Sequence, residues 1–241
     1  MLELQDVVWA LPDGERIINA VTMRAPKGKL TVVTGPNGGG KTSIAKLTAG
    51  LYTPQSGKII LDGEDITALD MTQRARKGIA FAFQQPVHFK GLTVRDLLEI
   101  SAECALEESR ACSYLGKVGL CARDYIDRPV DASLSGGEIK RIEIATVLAR
   151  RNARLLVFDE PEAGIDLWSF TSLIEVFRSL REERSRALLV ISHQERILQI
   201  ADEIVVIADG QVRLSGPREE ILPALLSGEK QASCPVHAPS C

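Results

Sequence analysis

No apolar run in this sequence approaches the roughly 20 residues that cross a lipid bilayer. The first residues, Met1-Leu2-Glu3-Leu4, also lack the basic and then apolar layout of a signal peptide. We therefore expect a cytoplasmic protein without a membrane span of its own. Any association with a membrane would have to come through a partner.

Positive charge is not in excess either. The chain has 29 Lys and Arg residues against 32 Asp and Glu residues, which gives a formal net charge of -3. Proteins that bind nucleic acid through its phosphates need a basic stripe, and nothing in this sequence resembles one. We therefore expect no direct binding of nucleic acid.

Closely spaced cysteine pairs are also missing. None of the five cysteines forms a C-x-x-C motif, which favours reduced thiols over a disulfide framework. Near the C-terminus, Cys234, His237 and Cys241 offer three potential ligands for a soft metal ion. A tail that contains proline and serine is more commonly mobile, so metal or redox chemistry there stays an open alternative.

What is present is enough for a full α/β core, because 45% of the 241 residues are apolar and 25% are charged. Strand patterns alternate with helical patterns, which predicts a mostly parallel sheet. A helix is expected at residues 41–49, and an amphipathic helix has its apolar anchors between residues 170 and 180. The strands are expected at residues 30–33, 57–61, 78–83, 155–158, 187–191 and 203–207.

Two further regions flank this pattern. Residues 2–9 and 16–23 surround the turn signal Pro12-Asp13-Gly14, which predicts an N-terminal antiparallel β region. The helical, charge-rich pattern from residue 93 predicts a helical subdomain inserted at about residues 90–150. We therefore expect one α/β domain over residues 1–228 and a C-terminal tail over residues 229–241.

The most informative stretch follows an apolar strand and opens a helix. Its glycines let the backbone curl until successive N–H groups point inward. Lys41 adds a fixed positive charge, the Thr42 hydroxyl can bind Mg²⁺, and Ser43 belongs to the same site. The stretch predicts a site for a nucleoside triphosphate, ATP, and consists of Gly35, Pro36, Asn37, Gly38, Gly39, Gly40, Lys41 and Thr42.

Two carboxylates, Asp159 and Glu160, follow the apolar strand at residues 155–158. Consecutive strand side chains point to opposite faces, so the two carboxylates cannot do the same job. We expect one of them to hold Mg²⁺. The other can reach past the metal toward the γ-phosphate and orient or deprotonate an attacking water.

A second anion site is predicted at Leu134-Ser135-Gly136-Gly137-Glu138, where a serine and two glycines expose N–H groups at the positive end of a helix. One triphosphate does not need two such sites within one small domain. The second site therefore predicts that two copies pair head to tail and enclose two nucleotides at their interface.

Over about residues 1–228 these motifs resemble the ATP-binding cassette (ABC) ATPase family, whose cassette has the P-loop NTPase fold. Residues 35–42 resemble its Walker A motif, residues 134–138 its signature motif, and Phe158-Asp159-Glu160 the end of its Walker B motif. Ala163, Gly164, Ile165 and Asp166 resemble its D-loop.

The same resemblance implies roles for single residues. Gln84 corresponds to the Q-loop glutamine and His193 to the switch histidine. The resemblance implies that Glu160 polarises the water, that His193 contacts the γ-phosphate, and that Gln84 couples the site to the helical subdomain. The implied Mg²⁺ ligands are Thr42, Asp159 and Gln84.

Two positions depart from the family pattern. Leu11 stands where many members carry the aromatic residue that stacks on adenine, and Trp9 lies two residues earlier. Trp9 can stack on the base or pack into the core, and both alternatives stay open. Gly39 stands where serine is commoner, which removes one side-chain contact to phosphate and leaves the backbone cradle intact.

Within the family, three stretches look most like SufC-type ATPases of iron-sulfur cluster assembly: residues 83–87 followed by Gly91, residues 159–166, and residues 192–198. Importers usually have threonine at the position of Glu162, although a carboxylate there can also be a solvated loop charge. The SufC-type interpretation predicts a SufB/SufD-like scaffold as partner. The alternative is the ATP-binding subunit of an ABC transporter with a membrane-embedded partner, and in both cases the contact surface would be the groove at residues 84–98.

Overall fold

The computed structural model describes residues 1–85, 89 and 91–232 of the chain. The strands are β1 (Leu2–Ala10), β2 (Arg16–Ala25), β3 (Leu30–Thr34), β4 (Ser56–Leu61), β5 (Glu64–Asp65), β6 (Ile79–Ala82), β7 (Leu155–Asp159), β8 (Ala187–Ile191), β9 (Glu203–Ala208) and β10 (Gln211–Pro217). The helices are α1 (Lys41–Ala49), α2 (Met71–Arg76), α3 (Val94–Ala102), α4 (Glu108–Lys117), α5 (Ala122–Tyr125), α6 (Gly136–Ala149), α7 (Leu167–Glu183), α8 (Glu195–Leu198) and α9 (Arg218–Ala232).

These strands form two sheets. The larger has the order β10-β9-β3-β8-β7-β6 and is parallel except for β10, which pairs antiparallel with β9 at one edge. The smaller sheet, β2-β1-β4-β5, is antiparallel throughout. The predicted parallel core and the predicted N-terminal antiparallel region are both confirmed.

Strand β7 shows why the central strands are apolar at every position. Leu156 and Phe158 belong to a core cluster shared with α3, α4, α6 and α7, whereas Leu155 and Val157 belong to a second cluster shared with α1 and the smaller sheet. Successive strand side chains alternate between these two clusters, so both faces of the strand must be apolar. The residues that follow β7 are therefore held by a strand that is buried on both sides.

Four helices, α3 to α6, lie between β6 and β7. Their apolar side chains, including Leu98, Leu115 and Ile142, share the first core cluster with the larger sheet. None of the helices in the described part of the chain is long and apolar enough to cross a bilayer.

Three elements were not indicated by the sequence pattern. Strand β5 has only two residues, helix α2 has no apolar periodicity, and β10 is mostly half-buried or exposed with an irregular register between Val212 and Leu214. Helix α9 continues to Ala232, past the expected domain boundary at residue 228. Residues 229–232 are good helix formers, which explains why no break occurs there.

Candidate active site

Two glycines fix the loop between β3 and α1. Gly35 has a φ of 134°, and a Cβ at this position would lie 2.0 Å from the carbonyl oxygen of Ile207. Gly40 has a φ of 101° and is the N-cap residue of α1. A side chain at either position would strain the backbone or clash, so the loop conformation depends on glycine. The loop leads into the positive end of the α1 dipole, which favours bound anions.

Lys41 lies across this loop. Its Nζ donates hydrogen bonds to the carbonyl oxygens of Gly35 and Pro36, each at 2.8 Å, and the residue is only 5% exposed. Burial lowers the pKa of Lys41, while the nearby carboxylates of Glu160 and Asp159 act in the opposite direction. The ammonium group is poorly hydrated, so a phosphate oxygen would give it a strong, charge-assisted partner.

Thr42 and Asp159 meet where α1 begins. Thr42 Oγ1 donates to Asp159 Oδ1 at 3.2 Å, which joins α1 to the end of β7. Asp159 is 1% exposed, and burial raises the pKa of its carboxyl group. A cation would offset the cost of burying this charge. A hydroxyl and a carboxylate are oxygen donors of the kind that Mg²⁺ prefers, so this pair fits that ion.

Glu160 has an unusual backbone conformation. Its φ is 45°, in the left-handed region that residues other than glycine rarely adopt. Its N–H donates to the Ile191 carbonyl oxygen at 3.0 Å, and its Oε2 accepts a hydrogen bond from Gln84 Nε2 at 2.7 Å. Strain of this kind clusters at functional sites. The fold thus brings two of the predicted site residues, Gln84 and Glu160, into direct contact.

A cavity of about 520 Å³ lies in front of these groups, which is within the usual size range of ligand pockets. Among its lining residues are three that the sequence predicted for the site, Gln84, Glu160 and His193. Much of the glycine-rich loop also lines the cavity. The remaining lining residues come from β1, β2 and the turn between them, from the start of α1 and from the segment after α1. The complete lining is Trp9, Leu11, Ile17, Asn37, Gly38, Gly40, Lys41, Thr42, Ser43, Tyr52, Gln84, Glu160 and His193.

The aromatic residues of this cavity stack on each other. The rings of Trp9 and Tyr52 lie 4.3 Å apart with an angle of 8° between their planes. Trp9 is 9% exposed and belongs to the second core cluster, against which Leu11 also packs. Trp9 therefore has a core role with Tyr52 as its partner. No motif in the sequence indicated that Tyr52 would reach the cavity.

A buried ion pair on α6 holds the segment that leads to Gln84. Lys140 is fully buried, donates to the Phe83 carbonyl oxygen and lies 3.4 Å from Glu143 Oε2. Glu143 Oε1 accepts from the Phe83 N–H at 2.8 Å. Burial raises the pKa of Glu143, and Lys140 opposes that effect. Helix α6 therefore fixes both backbone polar groups of the residue before Gln84.

The predicted second anion site, residues 134–138, begins α6 and does not line the cavity. Ser135 and Glu138 form a capping box, in which Ser135 Oγ accepts from the Glu138 N–H at 3.3 Å and Glu138 Oε2 accepts from the Ser135 N–H at 2.7 Å. Glu138 also accepts from the Tyr125 hydroxyl, and these hydrogen bonds lower the pKa of Glu138 to about 2. A Cβ at Gly136 would meet nothing within 4 Å. Contacts within the described chain therefore do not require glycine there.

The predicted D-loop, Ala163 to Asp166, follows the turn after β7. Asp166 accepts hydrogen bonds from the Ser169 N–H at 3.0 Å and from Ser169 Oγ at 2.6 Å, which anchors the loop to the first turn of α7. A Cβ at Gly137 would lie 3.0 Å from the Gly164 carbonyl oxygen. The loop therefore packs against the start of α6 rather than lining the cavity.

The cluster of Cys234, His237 and Cys241 lies outside the described residues, as do Pro86 and Val87 of the SufC-type resemblance. Across residues 1–85, 89 and 91–232, no three His, Cys, Asp or Glu side chains are arranged to hold a metal ion. Metal binding by the tail stays a prediction.

Comparison with known proteins decides the family. Residues 18–163, more than half of the chain, match the family described as ABC transporter. This chain belongs to the ABC transporter family. As predicted, it is an ABC-type ATPase, and ATP is the nucleotide that such cassettes bind.

Relatives that are at least 30% identical to this chain are named as ATP-binding proteins of transport or export systems. An uncharacterized ABC transporter ATP-binding protein of Methanocaldococcus jannaschii is 35% identical over 213 residues, which cover 85% of this chain and 84% of the relative. The lipopolysaccharide export system ATP-binding protein LptB of Escherichia coli is 30% identical over 215 residues, which cover 87% of this chain and 88% of LptB.

Solved structures agree on the fold. A dimeric post-hydrolysis state of an ATP-binding cassette, bound to ADP and phosphate, superposes with a TM-score of 0.80 at 24% identity. The match covers 90% of this chain and 99% of that chain. The predicted fold class, an ABC-type P-loop cassette, is confirmed.

Proposed function

We propose that this ABC ATPase is the ATP-binding subunit of a membrane transporter and that two copies enclose two Mg-ATP at their interface. The observation that carries the two-copy assembly is the division of the predicted site into two parts. Lys41, Thr42, Asp159, Glu160 and His193 converge on one cavity region, whereas the signature segment lies on another part of the surface.

The chemistry follows from the groups around the cavity. Lys41 and the loop N–H groups bind the phosphates, and Thr42 and Asp159 hold Mg²⁺. When bound, that ion neutralises charge on the phosphate oxygens. Glu160 orients a water molecule and accepts its proton as the new O–P bond forms and the bond to the leaving ADP oxygen breaks. His193 contacts the γ-phosphate. Gln84, through its hydrogen bond to Glu160, couples the site to the helical subdomain.

The second half of the site is assigned to another copy of the chain. Gly136 is open to space and is the first residue of α6, a helix of 14 residues capped by Ser135. A triphosphate held by a partner copy could approach this helix end closely only if no side chain stands at residue 136. The similar solved cassette described above is a dimer, which supports the same assembly for this chain.

A groove beside the Gln84 segment is assigned as the contact surface for the membrane partner. It has a volume of about 280 Å³, and its lining includes Phe81, Phe83, Leu97 and Ile100. Ile100 is 63% exposed, which is unusual for an isoleucine. Glu143, which binds the Phe83 N–H, also lines the groove, so a partner bound there would contact the group that positions the Q-loop.

The transporter is our main proposal because the relatives described above are named as transporter proteins. The SufC-type interpretation, with a SufB/SufD-like scaffold, has no support from those comparisons. The cargo stays open. Of the two relatives described above, one is uncharacterized and the other is named for lipopolysaccharide export, and the groove carries no information about what the partner moves.

Dimer formation is tested with Glu160→Gln. This variant keeps an oxygen that can accept from Gln84, so we expect it to fold, bind ATP, lose hydrolysis and accumulate as a dimer on a sizing column when Mg-ATP is present. A variant that turned over ATP at the native rate would show that Glu160 is not catalytic.

The partner class is tested by capture from native membranes and extract. We expect Ile100→Glu to retain ATP hydrolysis by the isolated chain and to lose a hydrophobic partner that co-purifies only in detergent. Leu214→Glu is the matched control, because Leu214 is also an exposed apolar residue but lies on β10. A soluble scaffold captured without detergent would contradict the transporter assignment and favour cluster assembly.

A further inference from the structure

Glu162 is a half-buried carboxylate close to the proposed catalytic groups. Its Oε1 accepts a hydrogen bond from Ser192 Oγ at 2.6 Å, whereas Oε2 is shielded from solvent without a hydrogen-bond partner in the described part of the chain. Burial raises the pKa of Glu162; the Ser192 hydrogen bond and His193 oppose this effect, and Glu160 adds to it. Glu162 is therefore not the solvated loop charge that the sequence left open.

Ser192 connects this carboxylate to the loop after β8. It is fully buried and directly precedes His193. Its Oγ accepts from the Gln194 N–H at 3.0 Å, and its own N–H donates to the Val33 carbonyl oxygen at 3.1 Å. A hydroxyl has a single proton, and that proton goes to Glu162. His193 thus lies between Ser192, whose hydroxyl donates to Glu162, and Gln194, whose N–H donates to that hydroxyl.

The turn that carries Glu162 also touches α6. Gly164, two residues further on, lies so close to Gly137 that a Cβ on Gly137 would be 3.0 Å from the Gly164 carbonyl oxygen. One side of the turn therefore packs on the helix of the signature segment. The other side binds the loop of His193, and the hydrogen bond from Ser192 is what joins the Glu162 side chain to that loop.

We propose that Glu162 is a positioning residue that, through Ser192, ties the loop of His193 to the turn packed against α6. The inference rests on the proposed function, in which His193 contacts the γ-phosphate and the D-loop lies near the dimer interface. A shift of the turn when two copies close would then reach His193 through a single side-chain hydrogen bond.

A positioning role for Glu162 can be distinguished from a purely structural one by comparing the stability of a variant with its kcat and KM. Removal of Glu162 relieves the cost of its unpaired, shielded oxygen but leaves the buried Ser192 hydroxyl without its acceptor, so the two effects on the free energy of unfolding oppose each other. We therefore expect Glu162→Ala to change stability in urea unfolding only slightly. A positioning error near the reacting groups should instead lower kcat by on the order of 10-fold, while KM for ATP stays unchanged.

The steady-state comparison uses the full-length chain with Mg-ATP. Ser192→Ala should lower kcat to the same extent as Glu162→Ala, and the double variant should be no slower than either single variant. Glu162→Gln keeps an oxygen acceptor for Ser192 and should restore most of the native kcat. In a His193→Ala background, Glu162→Ala should have no further effect. The matched control is Glu195→Ala, an exposed carboxylate two residues after His193.

Three results would overturn the proposal. Glu162→Ala could keep the native kcat, could raise KM without changing kcat, or could be matched in its loss by Glu162→Gln. The last result would mean that charge matters rather than the acceptor. A native chain that does not hydrolyse ATP would instead contradict the proposed function, and that is measured before any variant is compared.

Discussion

The glycine-rich loop and the signature segment were both predicted to bind phosphate, yet only the loop lines the cavity with other predicted site residues. In the loop, Lys41 is buried and faces carboxylates from a distant part of the chain. In the signature segment, Ser135 and Glu138 satisfy each other in a capping box, and Gly136 is open. The folding of one chain thus assembles the loop. In the signature segment it completes only the start of the helix, and we propose that a second copy supplies the nucleotide.

Helix α6 physically connects the two regions. Its first turn contains the signature segment, and its second turn carries Lys140 and Glu143, which hold the backbone before Gln84. Gln84 in turn contacts Glu160. A rigid rotation of α6 would therefore move the Gln84 contact together with the signature segment.

The largest effect is expected from breaking the loop with Lys41→Ala. Charge-assisted contacts worth about 1.5 to 3 kcal/mol each are lost, so ATP binding should weaken by on the order of 100-fold or more in calorimetric titration. Lys77→Ala, at an exposed ion pair with Glu64, should bind ATP as the native chain does. Unchanged affinity in Lys41→Ala would remove the loop as the phosphate site.

A loss of folding stability rather than of ATP binding is expected from Lys140→Met, which breaks the link between the two regions. The change leaves Glu143, whose side chain is 13% exposed, without its cation, and removing one partner of a buried pair typically costs about 3 to 5 kcal/mol in the free energy of unfolding. Urea unfolding measures the loss, with Lys117→Met on the exposed face of α4 as control. Native-like stability of Lys140→Met would mean that the pair does not hold the Gln84 segment.

A smaller effect is expected in the signature segment from Glu138→Gln, which should cost about 1 kcal/mol of unfolding free energy at neutral pH through the weakened capping box. The pKa of Glu138 is about 2 in the fold against an ordinary value of 4.5, so the native chain binds fewer protons at this group than its unfolded state does. Its stabilising contribution is complete above the ordinary value and declines as the pH falls toward 2.

The stability gap between Glu138→Gln and the native chain should therefore narrow as the pH is lowered from 5 to 3. Glu108→Gln, in the exposed first turn of α4, is the control. A gap that stayed constant over this range would show that the carboxylate charge does not stabilise the start of α6.

The smallest effect concerns the base contact. Leu11→Tyr restores an aromatic residue where many ABC ATPases have one, in a cavity whose own aromatic pair is already stacked. Ring stacking is worth about 0.5 to 1.5 kcal/mol, so ATP affinity should rise by roughly 2- to 10-fold. Leu214→Tyr on β10 should leave affinity unchanged. If Leu11→Tyr had no effect, Leu11 would not lie beside the bound base.

Much of this architecture follows from local sequence signals. The glycine-rich loop was predictable because its backbone conformation needs glycine, and β7 because a strand covered on both faces must be apolar throughout. Helix α2 was missed because its length of six residues allows no periodicity, although Asp70 and Gln73 form a capping box that sequence spacing could have indicated.

The missing parts of the site are contacts between distant segments. Tyr52 stacks on Trp9, and Glu162 binds Ser192, across chain separations that no local pattern encodes. Lys140 and Glu143 offered a weak signal, because two charges three residues apart stand among the apolar positions of α6. Burial of such a pair depends on the partner segment, which only the fold supplies.

The most direct test of the two-copy site mixes two variants that fail for different reasons. Gly136→Asp places a negative charge at the open helix start, where it fits the chain itself and would repel a triphosphate held by the partner. Glu160→Gln removes the carboxylate that we propose activates the water. Neither variant alone should hydrolyse ATP.

In a mixed dimer, one site would carry both changes and the other neither, so ATP hydrolysis should reappear on mixing and reach its maximum near equal amounts. Absence of ATP hydrolysis at every mixing ratio, or hydrolysis at the native rate by Gly136→Asp alone, would contradict the account in which one chain provides only half of each site.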